Sequence, residues 1–365
     1  MIRYLFAIFK LQFIFWFVCA ALFLSAGCHS TKVISYSGVV YPSPPDPPRI
    51  QYLRSFSNSV DVTGKRKGIK KAVLGEEKLM PIGKPYGIAT YKGKIYICDA
   101  STSGIEIIDM ARNSFTNFNP SGRGQFRLPL NCFIDVEGML YVTDGKRNEV
   151  VIFDSKLNFV KSIGRTDSID DFRPMDVFVS DNKIWVTNSK DQRIHVYQKN
   201  DYRLLYSFPD TTSQKQRIIF NPINICVRNH KVYVTDFGDF KIKVFSEEGK
   251  LLNSIGEYGK ALGQFVRPKG IAVDKENNLF VVDAGFENVQ MFNEQGKLLM
   301  FFGGSYKGPG DMWLPAKVYI DYENMDYFKQ FVSPEFQLDY LIFVSNQYGP
   351  DKISVYGAVK KNNTK

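Results

Sequence analysis

Histidine and cysteine are scarce in this sequence. Their scarcity argues against a zinc centre, a disulfide framework and covalent haem. Only three histidines occur, which is too few for a multi-histidine zinc centre. After Cys28 the chain holds Cys98, Cys132 and Cys226. Three is an odd number and each lies in an apolar run, so we expect buried free thiols and no disulfide framework. No C-x-x-C-H motif occurs, so covalent haem is not indicated.

Helical periodicity is also missing after residue 49. In its place stand apolar runs of four to six residues, rich in β-branched and aromatic side chains and separated by turn residues. This pattern predicts short β-strands. We therefore expect an all-β chain beyond its first residues.

The first 27 residues predict a signal peptide. Arg3 and Lys10 precede an apolar run, Leu11 to Phe23, and small residues stand directly before Cys28. The stretch LSAGC at 24–28 resembles the bacterial lipobox, in which the signal is cut before a cysteine that carries lipid. The resemblance implies a diacylglyceryl and acyl (palmitate) anchor on Cys28. An uncleaved membrane anchor is the alternative.

The residue after Cys28 is His29, and not the Asp that retains resembling lipoproteins at the inner membrane. The resemblance therefore implies an outer-membrane lipoprotein on the periplasmic or surface face. Residues 28–48 are expected to form a lipidated tether, because YPSPPDPP at 41–48 is typical of an extended polyproline spacer.

The charge of the exported chain is modest. Without residues 1–27 the net charge falls from +10 to +8. Nucleic acid is not an expected partner of an exported protein, whereas anionic lipid headgroups, polysaccharide or an acidic protein fit this charge. The basic run KRKGIKK at 65–71 is interpreted as a solvated loop.

A repeat of about 46 residues organises the rest of the chain. Each unit supplies four short strands, as in GIAVD, NLFVVD, NVQMFN and KLLMFFG of the fifth unit. A leading proline opens each unit, at Pro85, Pro129, Pro174, Pro222, Pro268 and Pro315. Four strands in 40 to 50 residues are the signature of a propeller blade. The sequence therefore predicts a six-bladed β-propeller in one domain, 49–357.

The sixth unit lacks its fourth strand. The stretch RIQYLRSF at 49–56 fits the vacancy, since an unpaired sheet edge invites aggregation. We expect this N-terminal strand to close the last blade, and residues 358–365 to form a disordered tail.

The repeat carries a recognisable phrase: G-x-x-x-x-x-G-Q-F-x-x-P-x-G-I-A-V-D, then L-F-V-V-D and V-x-x-F. This phrase resembles the NHL repeat over residues 80–357. The resemblance implies an NHL-like propeller and says little about activity, because one propeller fold hosts many functions. Resembling bacterial lipoproteins are sometimes encoded beside multihaem cytochromes, which implies an accessory role in an extracellular electron-transfer system.

Two columns of polar residues recur with the repeat. The second strands end at Asp99, Asp144, Asn188, Asp236, Asp283 and Asn346. Six equivalent acceptors are interpreted as structural, because Asp and Asn bind backbone N–H groups at turns. The other column lies two places after each leading proline, at Gly87, Asn131, Asp176, Asn224, Gly270 and Lys317.

The second column predicts a candidate ligand site at the channel mouth, formed by Asn131, Asp176, Asn224 and Lys317. Blades three and six face each other, so Asp176 and Lys317 are expected to approach across a solvated mouth. Six-bladed lactonases, similar in blade count, hold calcium with Asn, Asp and Glu oxygens. One carboxylate and a lysine suit calcium poorly. We therefore predict no metal, cofactor or catalytic residue, and calcium stays open only within the alternative function.

Blade six carries an aromatic insert, Tyr322 to Asp339. Loops on a rigid scaffold collect binding residues, and aromatic side chains can anchor a partner. The candidate partner loop comprises Tyr322, Tyr327, Phe328, Phe331 and Phe336. The alternative is a loop that folds these rings back onto the blade.

These features favour a membrane-anchored binding or scaffold module for an envelope or extracellular protein complex or ligand. The alternative is a calcium-dependent, lactonase-like hydrolase or lyase with its site in the channel. A structural envelope protein without a saturable partner is a third hypothesis. Partner identity, the face used and the oligomeric state are not set by the sequence.

Overall fold

The six repeats form six antiparallel sheets in a ring around a central channel. The structure is a computed structural model that describes residues 38–64, 79–164, 171–210 and 217–362. In each sheet the first strand of the repeat lies innermost and contacts the first strands of both neighbouring blades. The predicted all-β six-bladed propeller is thus confirmed.

The first three blades follow the predicted repeat. Blade one has the strands Pro85–Tyr91, Lys94–Asp99, Gly104–Asp109 and Ser114–Phe118. Blade two has the strands Pro129–Ile134, Leu140–Asp144, Glu149–Phe153 and Phe159–Ile163. Blade three has the strands Pro174–Ser180, Lys183–Asn188, Arg193–Gln198 and Leu204–Phe208.

Blades four and five are equally regular. Blade four has the strands Pro222–Arg228, Lys231–Asp236, Lys241–Ser246 and Leu251–Ile255. Blade five has the strands Pro268–Val273, Leu279–Asp283, Asn288–Phe292 and Leu298–Gly303. Every first strand begins at a leading proline, which the first position of a strand tolerates because no ladder N–H is needed there.

Blade six is closed by the N-terminal strand, as the sequence predicts. Its own strands are Pro315–Asp321, Phe336–Asn346 and Ile353–Lys361. The strand Ile50–Phe56 pairs antiparallel with Ile353–Lys361 and completes the sheet. A short strand, Val40–Tyr41, pairs with Ile50–Phe56 and forms the fifth strand, at the outer edge of the sheet. Residues 40–41 of the expected tether 28–48 therefore belong to the sheet.

The last strand also runs past the expected boundary at 357. The second strand begins early, at Phe336, and pairs Phe336 with Lys361, so residues 358–361 join the sheet instead of a disordered tail. The predicted signal peptide 1–27, the lipidation site Cys28 and the basic run 65–71 lie outside the described residues.

Within residues 38–64, 79–164, 171–210 and 217–362 the helical elements are short. They are Val60–Thr63 and the 3-10 turns Gly122–Gly124, Met325–Tyr327 and Lys329–Phe331. In the ranges that the structure describes, no helix has the length and hydropathy to cross a membrane.

The core lies between neighbouring blades. Phe280 and Val282 of blade five pack against Ile342 and Val344 of blade six, and equivalent clusters fill the other junctions. Cys98, Cys132 and Cys226 are buried free thiols, as the sequence predicts. Burial raises the pKa of the Cys226 thiol to about 11, so this thiol stays protonated and unreactive at neutral pH.

The strand order defines two faces. The proline face holds the leading prolines, the interblade loops and the turns between second and third strands, such as the turn between Asp283 and Asn288. The hairpin face holds the turns between first and second strands, including the insert of blade six. The two faces carry different side chains, and the candidate site lies on the proline side of the channel.

Candidate functional site

Three of the four predicted channel residues meet in one layer. Lys317 Nζ donates to Asp176 Oδ2 at 2.5 Å and to Asn224 Oδ1 at 2.9 Å. Asn131 faces a different partner, because its Nδ2 donates to the carbonyl oxygen of Met175 at 2.8 Å. The structure thus brings Asp176, Asn224 and Lys317 together and keeps Asn131 beside them.

The two glycines of the same column narrow the channel here. A Cβ at Gly270 would lie 2.5 Å from the Cα of Lys317, and a Cβ at Gly87 would lie 2.6 Å from the Cα of Asn131. Because the obstacle is backbone in both cases, only glycine permits this approach of the first strands. The layer is therefore tightly enclosed.

Burial governs the electrostatics of the layer. Asp176, Asn224 and Lys317 are at most 6% exposed. Burial raises the pKa of the Asp176 carboxyl, and the Lys317 charge and the backbone N–H groups of Ile225 and Val177 oppose the rise. The expected solvated mouth is therefore wrong: the layer is a buried, hydrogen-bonded plug.

The layer does not fit a calcium ion. Calcium takes six to eight oxygen ligands with high negative charge. Here the Lys317 ammonium already bridges Asp176 and Asn224, so the single carboxylate is neutralised from within. Across the described ranges, no group of three or more His, Cys, Asp or Glu side chains could hold a metal ion. The arrangement joins blade six to blades three and four across the channel and offers no free ligand set.

A cavity of about 230 Å³ lies on the hairpin side of this layer. Its walls are mostly apolar, and the rings of Phe133 and Phe178 lie 4.5 Å apart between centroids. Lys317 lines its floor, and Arg228 and Tyr322 line it near the hairpin face. The cavity is small beside typical ligand pockets of about 300–1,000 Å³.

The repeated Asp and Asn residues act structurally, as proposed from the sequence. Asp283 accepts hydrogen bonds from the N–H groups of Val266, Arg267 and Gly285, at 2.8, 3.0 and 2.7 Å. It therefore ties its own turn to the incoming interblade loop. Asp274 holds the turn after the first strand in the same way, through the N–H groups of Glu276 and Asn278.

A further polar column was missed by the sequence analysis. At one position of each third strand stand Glu106, Val151, His195, Lys243, Gln290 and Ser354, opposite the second strands. Five of these side chains are polar and buried. Their constant offset within the repeat is the signal that could have found them.

His195 belongs to this column and forms a chain that resembles a catalytic triad. Its Nδ1 lies 2.6 Å from Ser207 Oγ, and its Nε2 lies 2.7 Å from Asp191 Oδ2. In blade five, Gln290 at the equivalent position bonds to Gly263 N–H and the Gln264 carbonyl. Because other blades place polar side chains there to hold loops, we interpret the His195 chain as structural.

The aromatic insert of blade six folds back onto the propeller. Phe328 is fully buried and packs against Phe56 and Phe343. Phe331 lies under the guanidinium of Arg54, and Tyr322 packs on Tyr340. Tyr327 and Phe336 are partly buried. The structure thus favours the alternative interpretation, since none of these rings is exposed as a partner anchor.

Exposed aromatic side chains gather instead on the proline face. Phe220, Tyr258, Trp313 and Tyr348 are each between 40% and 64% exposed. Tyr348 borders a cation, because Lys84 Nζ lies 5.6 Å from its ring centroid. These residues stand in loops where the repeat varies, so periodicity could not single them out.

Comparisons with known proteins agree with the fold. A family model described as a 6-bladed beta-propeller matches residues 211–299. No curated protein matches the chain. A gluconolactonase from Xanthomonas campestris has a similar structure at a TM-score of 0.55 and 13% identity, covering 87% of this chain and 99% of that one.

Two other solved structures are comparably similar. A virginiamycin B lyase from Staphylococcus aureus, solved with quinupristin, gives a TM-score of 0.52 at 18% identity and covers 76% of this chain and 95% of that one. A protein from Bacteroides thetaiotaomicron gives 0.55 at 12% identity, covering 86% and 76%. Likeness at this identity shows the fold alone. The chain is a six-bladed β-propeller.

Proposed function

We propose that this chain is a lipid-anchored propeller of the bacterial envelope that binds another envelope protein through its proline face. The observation that carries the proposal is the group of exposed aromatic side chains on that face, with Tyr258 and Trp313 among them. Aromatic residues are enriched among the side chains that carry most of the binding energy at protein interfaces.

The charge of the same face supports a partner with acidic groups. Lys84 and Arg267 stand directly before the leading prolines of blades one and five, and Lys84 lies over the exposed Tyr348 ring. Opposite charges across an interface speed association and orient the partners. A net charge of +8 after loss of residues 1–27 acts in the same direction.

The anchor rests on the lipobox-like stretch before Cys28. Two acyl chains hold a protein stably at a membrane, which suits a module that gathers a partner there. Labelling of cells with radioactive palmitate tests this part. We expect label in the wild-type protein and none after Cys28→Ser, whereas label retained in that variant would contradict the anchor.

The lactonase-like alternative receives no support from the channel layer, because the Lys317 ammonium already occupies the space between Asp176 and Asn224. The alternative requires calcium there. We therefore expect calorimetric titration to detect no calcium binding at Asp176. Calcium binding by the wild type that is lost in Asp176→Asn would restore the hydrolase hypothesis.

The binding proposal is tested by crosslinking pull-down from intact envelopes. We compare the wild type with the double variant Tyr258→Ala/Trp313→Ala and with the control Val136→Ser, whose side chain is 91% exposed on the hairpin face. We expect the double variant to capture at least tenfold less partner than the wild type. The control should capture as much as the wild type does. Equal capture by all three proteins would contradict the proposal.

A narrower role, as an accessory to an extracellular electron-transfer system, predicts that the partner carries haem. In-gel peroxidase staining should then detect haem in the protein that the wild type captures and the double variant does not. A haem-free partner would remove this narrower role and leave the binding function in place.

A further inference from the structure

A group of cations surrounds one turn of the proline face. The turn after the second strand of blade six contains Gln347 and Tyr348. Lys269 Nζ of blade five lies 3.4 Å from Gln347 Oε1, and Lys352 Nζ lies 3.3 Å from the Gln347 carbonyl oxygen. Lys84 of blade one lies over the Tyr348 ring. Three consecutive blades thus bring their positive charges to one place.

Three cations of this region lack an ion-paired carboxylate, whereas the charge of Asp99 acts on Lys352. Within the part of the chain that the structure describes, Lys84, Arg267 and Lys269 form no ion pair with a carboxylate. The carboxylates of this region are engaged elsewhere: Asp99 accepts from the backbone of Gly83 and Lys84, and Asp351 accepts from Ser55 and Tyr306. Like charges gathered without a counterion favour the binding of an anion.

Gln347 supplies an independent observation. Its side chain is only 3% exposed, and its Nε2 is buried without a hydrogen-bond partner. Because Oε1 and Nε2 share one carbon, this amide N–H group lies next to Lys269 Nζ. Buried donors are normally satisfied, so an unused donor beside unpaired cations indicates a place for an acceptor.

The protonation of Lys269 responds to the same surroundings. Burial, together with the charges of Arg267 and Lys84, lowers the pKa of the Lys269 ammonium to about 8. A bound anion would counter both effects and raise this pKa again. Lys269 therefore offers a measurable reporter of anion binding.

The ring of residues one place after the leading prolines is largely apolar. One place after the leading prolines stand Tyr86, Leu130, Met175, Ile223, Lys269 and Ala316. Lys269 is the charged member of this ring, and Leu130, Met175 and Ile223 are partly exposed on its other side. In this ring of six positions the charge therefore lies on blade five and the partly exposed apolar side chains lie on blades two to four.

We propose that Lys269, Lys84 and the Gln347 amide bind the carboxylate of an organic acid whose apolar part lies over Leu130, Met175 and Ile223. The site stands above the buried Asp176–Lys317 plug and requires no metal. It goes beyond the proposed protein binding and does not depend on it, because a free organic acid would occupy the site in the absence of any partner.

Calorimetric titration with octanoate tests the proposal. We expect saturable binding to the wild type and at least a tenfold loss of affinity in Lys269→Met, which keeps the length of the side chain. Lys231→Met, on the hairpin face where Lys231 pairs with Glu294 at 2.7 Å, is the matched control and should bind as the wild type does. Melting temperatures of both variants check that they are folded.

Two other probes decide between outcomes. Octanol should not bind, and inorganic phosphate should bind more weakly than octanoate. Phosphate binding as strong as that of octanoate would show that apolar contacts with Leu130, Met175 and Ile223 do not contribute, and would overturn that part of the proposal. No octanoate binding, or equal binding by wild type and Lys269→Met, would overturn the whole. The pull-down of the Tyr258 and Trp313 variants is unaffected by either result, so the two proposals fail separately.

The dependence on pH supplies a second readout. The groups that face Lys269 are Arg267, Lys84 and Lys352, with Tyr86, Tyr348 and Gln347. Octanoate binds the protonated amine, so its affinity should fall as pH rises through about 8, and binding near that pH should take up protons. Lys269→Met should lose most of this dependence. Wild-type affinity unchanged from about pH 7 to about pH 9 would contradict the site.

Discussion

Removal of the Lys317 ammonium should expose the cost of the buried carboxylate that it neutralises. In Lys317→Met, Asp176 keeps its hydrogen bonds from the Val177 and Ile225 N–H groups but loses its cation. Breaking a buried ion pair by removing one partner costs about 3–5 kcal/mol. At about 2 °C per kcal/mol for a domain of this size, the melting temperature should fall by about 6–10 °C.

The pH dependence of this loss has a definite sign. Burial raises the pKa of the folded-state Asp176 carboxyl, and loss of Lys317 raises it further. The folded protein then binds a proton more readily than the unfolded chain, so stability declines as pH rises from the unfolded value of about 4 to the raised folded pKa. The deficit of Lys317→Met should therefore be largest near neutral pH and should shrink in acid.

The double variant Asp176→Asn/Lys317→Met is the matched control. Asn keeps one acceptor for a backbone N–H group and carries no charge that needs the ammonium. We expect it to recover more than half of the lost free energy of unfolding, measured by urea denaturation. If Lys317→Met loses less than about 1 kcal/mol of the free energy of unfolding, or loses the same amount in acid and at neutral pH, Lys317 does not stabilise the fold by neutralising Asp176.

The remaining predictions concern structural devices of the ring. Asp283→Ala leaves four backbone N–H groups without their acceptor and should cost about 2–4 kcal/mol by urea denaturation, with octanoate binding unchanged. Lost binding at full stability would contradict a structural role. Gly270→Ala places a Cβ 2.5 Å from the Lys317 backbone and should lower the melting temperature, whereas a neutral result would show that the first strands can separate. Deletion of 49–56 opens the edge of Ile353–Lys361 and should give soluble aggregates by size-exclusion chromatography, while a stable monomer would contradict closure by this strand.

The architecture could be predicted because each blade repeats the same physical solution. Leading prolines, apolar second strands and Asp or Asn at the turns recur at fixed spacing. The strands assigned in one unit could therefore be assigned at the same positions in the other five. The closing strand followed from the missing fourth strand of blade six. The end of the last strand was misplaced because its partner begins inside the insert, at Phe336, where the repeat is broken.

The site was less accessible to sequence reasoning, because it depends on distances across the ring. Spacing placed Asp176 and Lys317 in one column, but the burial of their layer follows from the close approach at Gly87 and Gly270. Aromatic content marked the insert as a partner loop, yet Phe328 finds its contacts within the blade. The side chains that remain exposed lie in interblade loops, where no repeat constrains them.

Site-specific photo-crosslinking tests whether the chain binds an envelope protein through its proline face. A benzophenone side chain replaces Tyr258 on the proline face in one protein and Val136 on the hairpin face in another, and both are irradiated in intact envelopes. We expect a discrete protein adduct from position 258 and none from position 136. An adduct from position 136 alone, or no adduct from either position, would contradict it.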